Sequence, residues 1–177
     1  VTAPKDGDEL KNLLATGIYS GKNFSIRYPK TSCVQFNEDA NYKILDIGSW
    51  ETLINGQNTA IIAVGSMVNM VIESYNEIVE GVNFKPTIIN ARFIKPFDVD
   101  MLNNICSSHD HIVTIEEGVL SGGFGSMISA YLHDNCYKIN LTRLGIPDEF
   151  VQHGTRKELL ELTGLTYSNL IASINKK

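Results

Sequence analysis

The sequence predicts an α/β domain: a mostly parallel sheet with helices on both faces and one antiparallel edge strand, preceded by a fragment of another α/β domain. Three observations carry that reading. Short apolar runs bounded by turn residues alternate with segments of 3.6-residue period, and the connections between them are short. The alternation becomes regular only after about residue 41, so the leading stretch stands apart. The 177 residues, 43% hydrophobic, hold one full core plus a piece of a second.

In chain order, residues 8–19 read as a helix with Leu10, Leu13, Leu14 and Ile18 on one stripe. Phe24, Ile26 and Tyr28 alternate as a strand that Pro29 ends, and Val1-Thr2 reads as a strand end. Two strands are too few for an independent sheet, so residues 1–40 read as the tail of a domain plus a linker. The domain proper is 41–177. Ile44, Ile47 and the Trp50 region predict its first strand, and Asn55-Gly56 predicts a tight hairpin turn that adds the antiparallel edge. Thr59–Val64 is a buried strand. Val68, Val71, Ile72, Tyr75, Ile78 and Val79 then form one helical stripe. Pro86–Ala91 is the next strand, and Asp98 caps the helix bearing Val99, Leu102, Ile105 and Cys106. His111–Glu116 is a third apolar strand, followed by a glycine-rich turn and a helix with Met127, Ile128, Tyr131 and Leu132. Tyr137–Leu144 is a further strand. Thr155 with Glu158 forms a capping box, and a last helix covers 168–175.

Composition excludes several function classes. A net charge of −5 disfavours nucleic acid and anionic membranes as partners. No apolar run reaches the roughly 20 residues of a membrane span, and the amino end lacks the apolar core of a signal peptide. Cys33, Cys106 and Cys136 are odd in number and without metal-ligand spacing, which reads as reduced thiols in an intracellular protein. A start at Val1 fits a processed or excised piece.

Four features have chemical potential. Gly122-Gly123-Phe124-Gly125-Ser126 opens a helix, where free N–H groups attract anions. It lacks the third glycine of a dinucleotide fingerprint and any Walker lysine, so close helix–strand packing is the preferred reading. Glu116 and Glu117 end a strand at the edge where open α/β sheets bind ligands. Adjacent strand residues face opposite ways, which favours one carboxylate anchoring a backbone or an arginine over an acid/base pair. His109 and His111 share a face without a third metal ligand in the nearby sequence. Arg27 and Lys30 flank Tyr28-Pro29, a stiff turn suited to a phosphate or carboxylate.

Four stretches in order carry a family resemblance: Arg27-Tyr28-Pro29-Lys30, Arg92-Phe93-Ile94-Lys95-Pro96, Thr114-Ile115-Glu116-Glu117-Gly118, and the run from Gly145-Ile146-Pro147-Asp148 to His153-Gly154-Thr155. Along essentially its whole length the chain resembles the C-terminal part of the 1-deoxy-D-xylulose 5-phosphate synthase family, in the transketolase superfamily. The resemblance implies that residues 1–40 end the pyrimidine-binding domain and that 41–177 form a transketolase-like C-terminal domain. It implies condensation of pyruvate with D-glyceraldehyde 3-phosphate, with loss of carbon dioxide, in a homodimer of the bacterial cytoplasm or a plastid-type organelle. Thiamin diphosphate and Mg2+ are then bound upstream, no catalytic, cofactor-binding or metal residue falls in this chain, and the chain alone is inactive. The family shows arginine where Lys30 stands, associated with the substrate phosphate, and Arg27 supports the turn. Glu116, Glu117, Gly122, Gly123 and Gly125 mark the expected dimer contact. An N-terminal fragment of the same protein is a further expected partner. The alternatives are a free-standing C-domain docking on a separate catalytic chain, and a 2-oxoacid dehydrogenase beta subunit, which the Gly145–Thr155 run disfavours.

Overall fold

The computed structural model describes residues 1–176. Its centre is a five-stranded sheet in the order β1-β3-β2-β4-β5, built from β1 (Glu51–Ile54), β2 (Thr59–Ala63), β3 (Thr87–Asn90), β4 (His111–Val119) and β5 (Asn140–Ile146). β1 alone runs antiparallel, against β3, and the other pairings are parallel.

The apolar runs explain the burial. Because successive side chains alternate, β2 sends Ala60 and Ile62 to one face and Ile61 and Ala63 to the other. The first face packs against Leu13 of α1 (Gly7–Ser20), Leu102 and Ile105 of α4 (Val99–Ser108), and Phe124, Ile128 and Leu132 of α5 (Phe124–Asp134). The second packs against Met67 and Val71 of α2 (Met67–Glu73), Ile78 and Val82 of α3 (Tyr75–Val82), and Leu170 and Ile174 of α7 (Tyr167–Asn175). Between β5 and α7 lies α6 (Arg156–Leu162), a short helix with no buried residue. Both predicted caps form. The Asp98 side chain accepts from Met101 N at 2.9 Å, and Thr155 and Glu158 make the reciprocal capping box.

Four local readings change. Asn55-Gly56 does not close a hairpin between β1 and β2, because β3 inserts between them. β3 is buried at all four positions and needs a neighbour on each side, which the intervening place supplies. The stripe from Val68 to Val79 is two helices separated at Ser74. Ile44 and Ile47 lie exposed outside any strand, and β1 starts after Trp50. Phe24–Tyr28 makes one bridge only, Ile26 to Thr2, since no further strand lies alongside to propagate pairing. Thr2 also bridges Phe93, so residues 1–3 form a rung between the 25–27 segment and the end of β3.

Residues 1–47 form an arm on the sheet. Helix α1 is capped by Asp6, whose Oδ1 accepts from Glu9 N at 2.7 Å. The returning chain follows α1, with Lys43 N donating to Asn12 Oδ1 and Leu45 N donating to Thr16 Oγ1. The predicted α1 stripe divides. Leu13 is fully buried, whereas Leu14 is 50% and Ile18 77% exposed.

Candidate functional site

From β2 the chain passes through α2 and α3 to β3 on one side, then through α4 to β4 on the other side of β2. The strand order therefore reverses between β2 and β4, and the crevice outside their carboxyl ends is where open α/β sheets bind ligands. Val64-Gly65-Ser66 leaves β2 there. Gly65 has φ +58, and a Cβ on it would stand 3.3 Å from the Ala3 Cβ, so this turn requires glycine for the arm to cross it.

A small recess of about 200 Å³ opens here between Arg27, Pro29, Gly65, Ser66 and Glu117. Beside it lies a cleft of about 890 Å³, bounded by Lys30 on the arm, α2, and the 156–167 segment. Pro4, Tyr28, Pro29 and Ser66 line both. The two cations flanking Tyr28-Pro29 are thus brought to the crevice but line different recesses. Both are exposed, and among the described residues neither is ion-paired.

The two glutamates of β4 behave as their opposite faces require. Glu116, 2% exposed, accepts from Phe124 N at 3.0 Å and Gly125 N at 2.8 Å. The helix-start N–H groups that resemble an anion cradle are therefore already satisfied by a carboxylate of the same chain, which removes the phosphate reading of the glycine-rich turn. Close packing explains the glycines as well, since a Cβ on Gly125 would meet Thr114 Oγ1 at 2.7 Å. Glu117 turns the other way. It accepts from Ser66 Oγ at 3.0 Å and pairs with Arg156, which also donates to Ser66 Oγ.

A second polar group, unforeseen in the sequence, fastens the arm to the sheet. Lys5 Nζ lies 3.4 Å from Glu9 and 3.1 Å from Glu51, and Asn90 Nδ2 donates to both carboxylates. Burial raises the Glu9 pKa despite the attraction of Lys5. For Glu51 burial acts in the same sense, but Lys5, Asn90 and Arg92 together outweigh it and the pKa falls. Burial works against the Lys5 charge too, and the surrounding acids prevail, raising its pKa. Apart from Lys5 and Glu9, four positions apart, neither this network nor Arg156 leaves a spacing signal, because the other contacts join residues 39 to 90 positions apart.

His109 Nε2 meets Thr87 Oγ1 and His111 Nε2 meets Thr142 Oγ1, so the two imidazoles serve different neighbours. Among the described residues no three His, Cys, Asp or Glu side chains gather to hold a metal ion, and the three cysteines are free. None of the described helices is long and apolar enough to cross a membrane.

Residues 48–170 match the family described as transketolase, C-terminal domain. The chain is 37% identical over 97% of its length to a 1-deoxy-D-xylulose-5-phosphate synthase of Geobacillus, covering 27% of that protein. The synthase of Dehalococcoides mccartyi is 39% identical over 93% of the chain, covering 26% of its own length. The chain thus spans about a quarter of these relatives. Among solved structures, a split-gene transketolase determined as an inactive β4 tetramer superposes with a TM-score of 0.84 at 24% identity, over 99% of this chain and 56% of that one. A transketolase from Campylobacter jejuni gives 0.63 at 18%, over 99% and 26%. The strand order, the two helical layers and the match across most of the sequence place this chain in the transketolase C-terminal domain family.

Proposed function

We propose that the chain is the C-terminal segment of a 1-deoxy-D-xylulose 5-phosphate synthase, a transferase that condenses pyruvate with D-glyceraldehyde 3-phosphate and releases carbon dioxide. The product serves isoprenoid precursor, thiamin and pyridoxal synthesis. The observation that carries this reading is identity of 36–39% to synthases across nearly the whole chain. Residues 1–40 are the tail of the pyrimidine-binding domain with its linker, and 41–177 the C-terminal domain. The full enzyme works as a homodimer, in the bacterial cytoplasm or a plastid-type organelle. Thiamin diphosphate, with Mg2+, supplies the carbanion chemistry from residues upstream, and no step of it is routed through this chain.

The segment supports and positions. Lys30 at the cleft edge holds the substrate phosphate by charge, without the two-pronged grip an arginine would give. Arg27 supports the turn from the neighbouring recess. Glu117 and Gly122 reach the surface of the proposed dimer contact, while Glu116, Gly123 and Gly125 fix its shape from behind.

The test is carbon dioxide release from the two substrates with thiamin diphosphate and magnesium. The 177-residue chain is expected to be inactive and a chain extended upstream active; release by the short chain alone would overturn the assignment of catalysis to upstream residues. In the extended enzyme, Lys30→Ala should raise KM for glyceraldehyde 3-phosphate about tenfold or more, the scale of one charged hydrogen bond, and leave pyruvate KM unchanged. An unchanged phosphate-substrate KM removes Lys30 from the site. A second reading, a C-domain that docks on a separate catalytic chain, is supported by the split-gene neighbour. A start codon directly before Val1 would favour it.

A further inference from the structure

Residues 31–40 are exposed at every position and belong to no helix or strand. Such a segment gains conformational entropy by moving, so a fixed course for it needs outside anchors. Helix α1 supplies them. Gly7 N donates to Gln35 O at 2.8 Å, and Asp8 Oδ1 accepts from Asn37 N at 2.7 Å. Lys11 Nζ then donates to three main-chain carbonyls, those of Asn37 at 2.6 Å, Ala40 at 2.9 Å and Glu38 at 3.3 Å. An ammonium has three donors, and each finds its own oxygen here. The Phe36 ring closes another side of it, with the centroid 5.0 Å from Nζ. Lys11 makes no ion pair among the described residues, so its charge serves this loop alone. Gly7, Asp8 and Lys11 lie on one flank of the helix, as spacings of three and four residues require. The loop approaches that flank closely enough to need glycine at position 7, where a Cβ would stand 2.7 Å from Gln35 O and 2.9 Å from Phe36 Cβ.

What this anchor fixes is a wall of the 890 Å³ cleft. Pro29, Lys30, Thr31, Ser32, Cys33 and Val34 line the cleft in unbroken sequence, directly before Gln35. The other end of the span is tied where Arg27 N donates to Thr2 O at 2.8 Å and Thr31 N to Pro29 O at 3.0 Å. A short span pinned at both ends has far fewer arrangements open to it than one pinned at a single end. The Lys30 side chain makes no ion pair among the described residues that would hold it in place. Its position in the cleft therefore follows that of the main chain beneath it.

We infer that Lys11 is a positioning residue for the phosphate-holding Lys30. By gathering the carbonyls of Asn37, Glu38 and Ala40 it sets the 30–34 wall of the cleft, and with it the place where the Lys30 charge meets the substrate. The inference rests on the role proposed for Lys30 above, and adds a residue that acts without touching the substrate.

Kinetics and hydrogen exchange of the enzyme extended upstream test this. Lys11→Met keeps the length of the side chain and removes the ammonium. It should raise KM for glyceraldehyde 3-phosphate about threefold to tenfold, no more than Lys30→Ala does, and leave kcat and pyruvate KM near the parent values. Amide exchange should quicken across 35–40 and stay unchanged in β2. Gly7→Ala, which displaces Gln35 and leaves Lys11 intact, should give the same pattern. Because Lys11 acts through Lys30, Lys11→Met combined with Lys30→Ala should bind the phosphate substrate no worse than Lys30→Ala alone. If Lys30→Ala raises that KM while Lys11→Met quickens exchange without changing it, positioning by Lys11 is overturned and the role of Lys30 stands. Additive effects in the double variant, or a fall in kcat with no change in KM, overturn it as well. An unchanged KM in Lys30→Ala overturns the role of Lys30 and this inference together.

Discussion

The arm and the sheet domain obey different rules of burial. Among the described residues sixteen large apolar side chains are exposed, and ten of them fall in the arm: Val1, Leu14, Ile18, Tyr19, Tyr28, Val34, Phe36, Tyr42, Ile44 and Ile47. The sheet domain, nearly three times as long, leaves six, and closes both of its faces with helices. A segment that buries Leu13 on one side of a helix while holding Leu14 and Ile18 in water on the other is equipped for two neighbours. The difference shows where a self-sufficient core ends and where a surface awaiting cover begins.

The sharpest way to break that comparison is by truncation on each side of it. Ile62→Ala, at a fully buried position of the central strand, should cost about 2 to 5 kcal/mol in urea unfolding. Ile18→Ala in α1 should stay within about 0.5 kcal/mol. A comparable loss at Ile18 would mean that the chain already covers this face in solution.

Helix starts give the next effect in size. Glu116→Ala leaves two buried N–H groups of α5 without a partner and should cost about 2 to 3 kcal/mol. Asp6→Ala removes the α1 cap and should cost about 1 kcal/mol. Equal losses in thermal unfolding would contradict the view that the sheet domain is the more tightly determined half.

The smallest effect is on pH dependence, and its sign differs between the halves. Burial lowers the pKa of His109 and His111 below 6.5 at the amino edge of the sheet. Below that value the unfolded chain binds more protons, so their contribution is complete above pH 6.5 and is lost as pH falls. Glu9, at the joint of arm and sheet, has its pKa raised above 4.5 by burial. Its contribution is complete below pH 4.5 and is lost as pH rises through the folded pKa. Tm profiles of Glu9→Gln and of the double variant His109→Gln, His111→Gln should flatten at these opposite ends. Parallel curves for variants and parent would show that neither group is linked to folding.

What could be read from the chain was local. Asp98 and the Thr155–Glu158 box announce helix starts within three residues, and the run from Thr59 announces a strand buried on both faces. The alternation of Glu116 and Glu117 favoured one carboxylate anchoring a backbone or an arginine; Glu116 holds the backbone and Glu117 meets an arginine. What stayed hidden depended on distant partners. The Asn55-Gly56 signal says that the chain turns, but the strand that then pairs with β1 is supplied by residues 87–90. The helical period of α1 reports two apolar flanks without saying which one this domain covers. Arg156 and the Lys5 network belong to the crevice only because the fold returns there.

The carboxylate of Glu116 has one more consequence. Where a helix start is held by a dissolved phosphate, its occupancy follows the concentration of that phosphate. Here the anion is tethered eight residues before the helix it serves, so its effective concentration is set by the length of the turn, on the order of millimolar or above for so short a link. Free anions compete poorly against such a neighbour. The joint between β4 and α5 therefore keeps one state whatever the concentration of free anions around it.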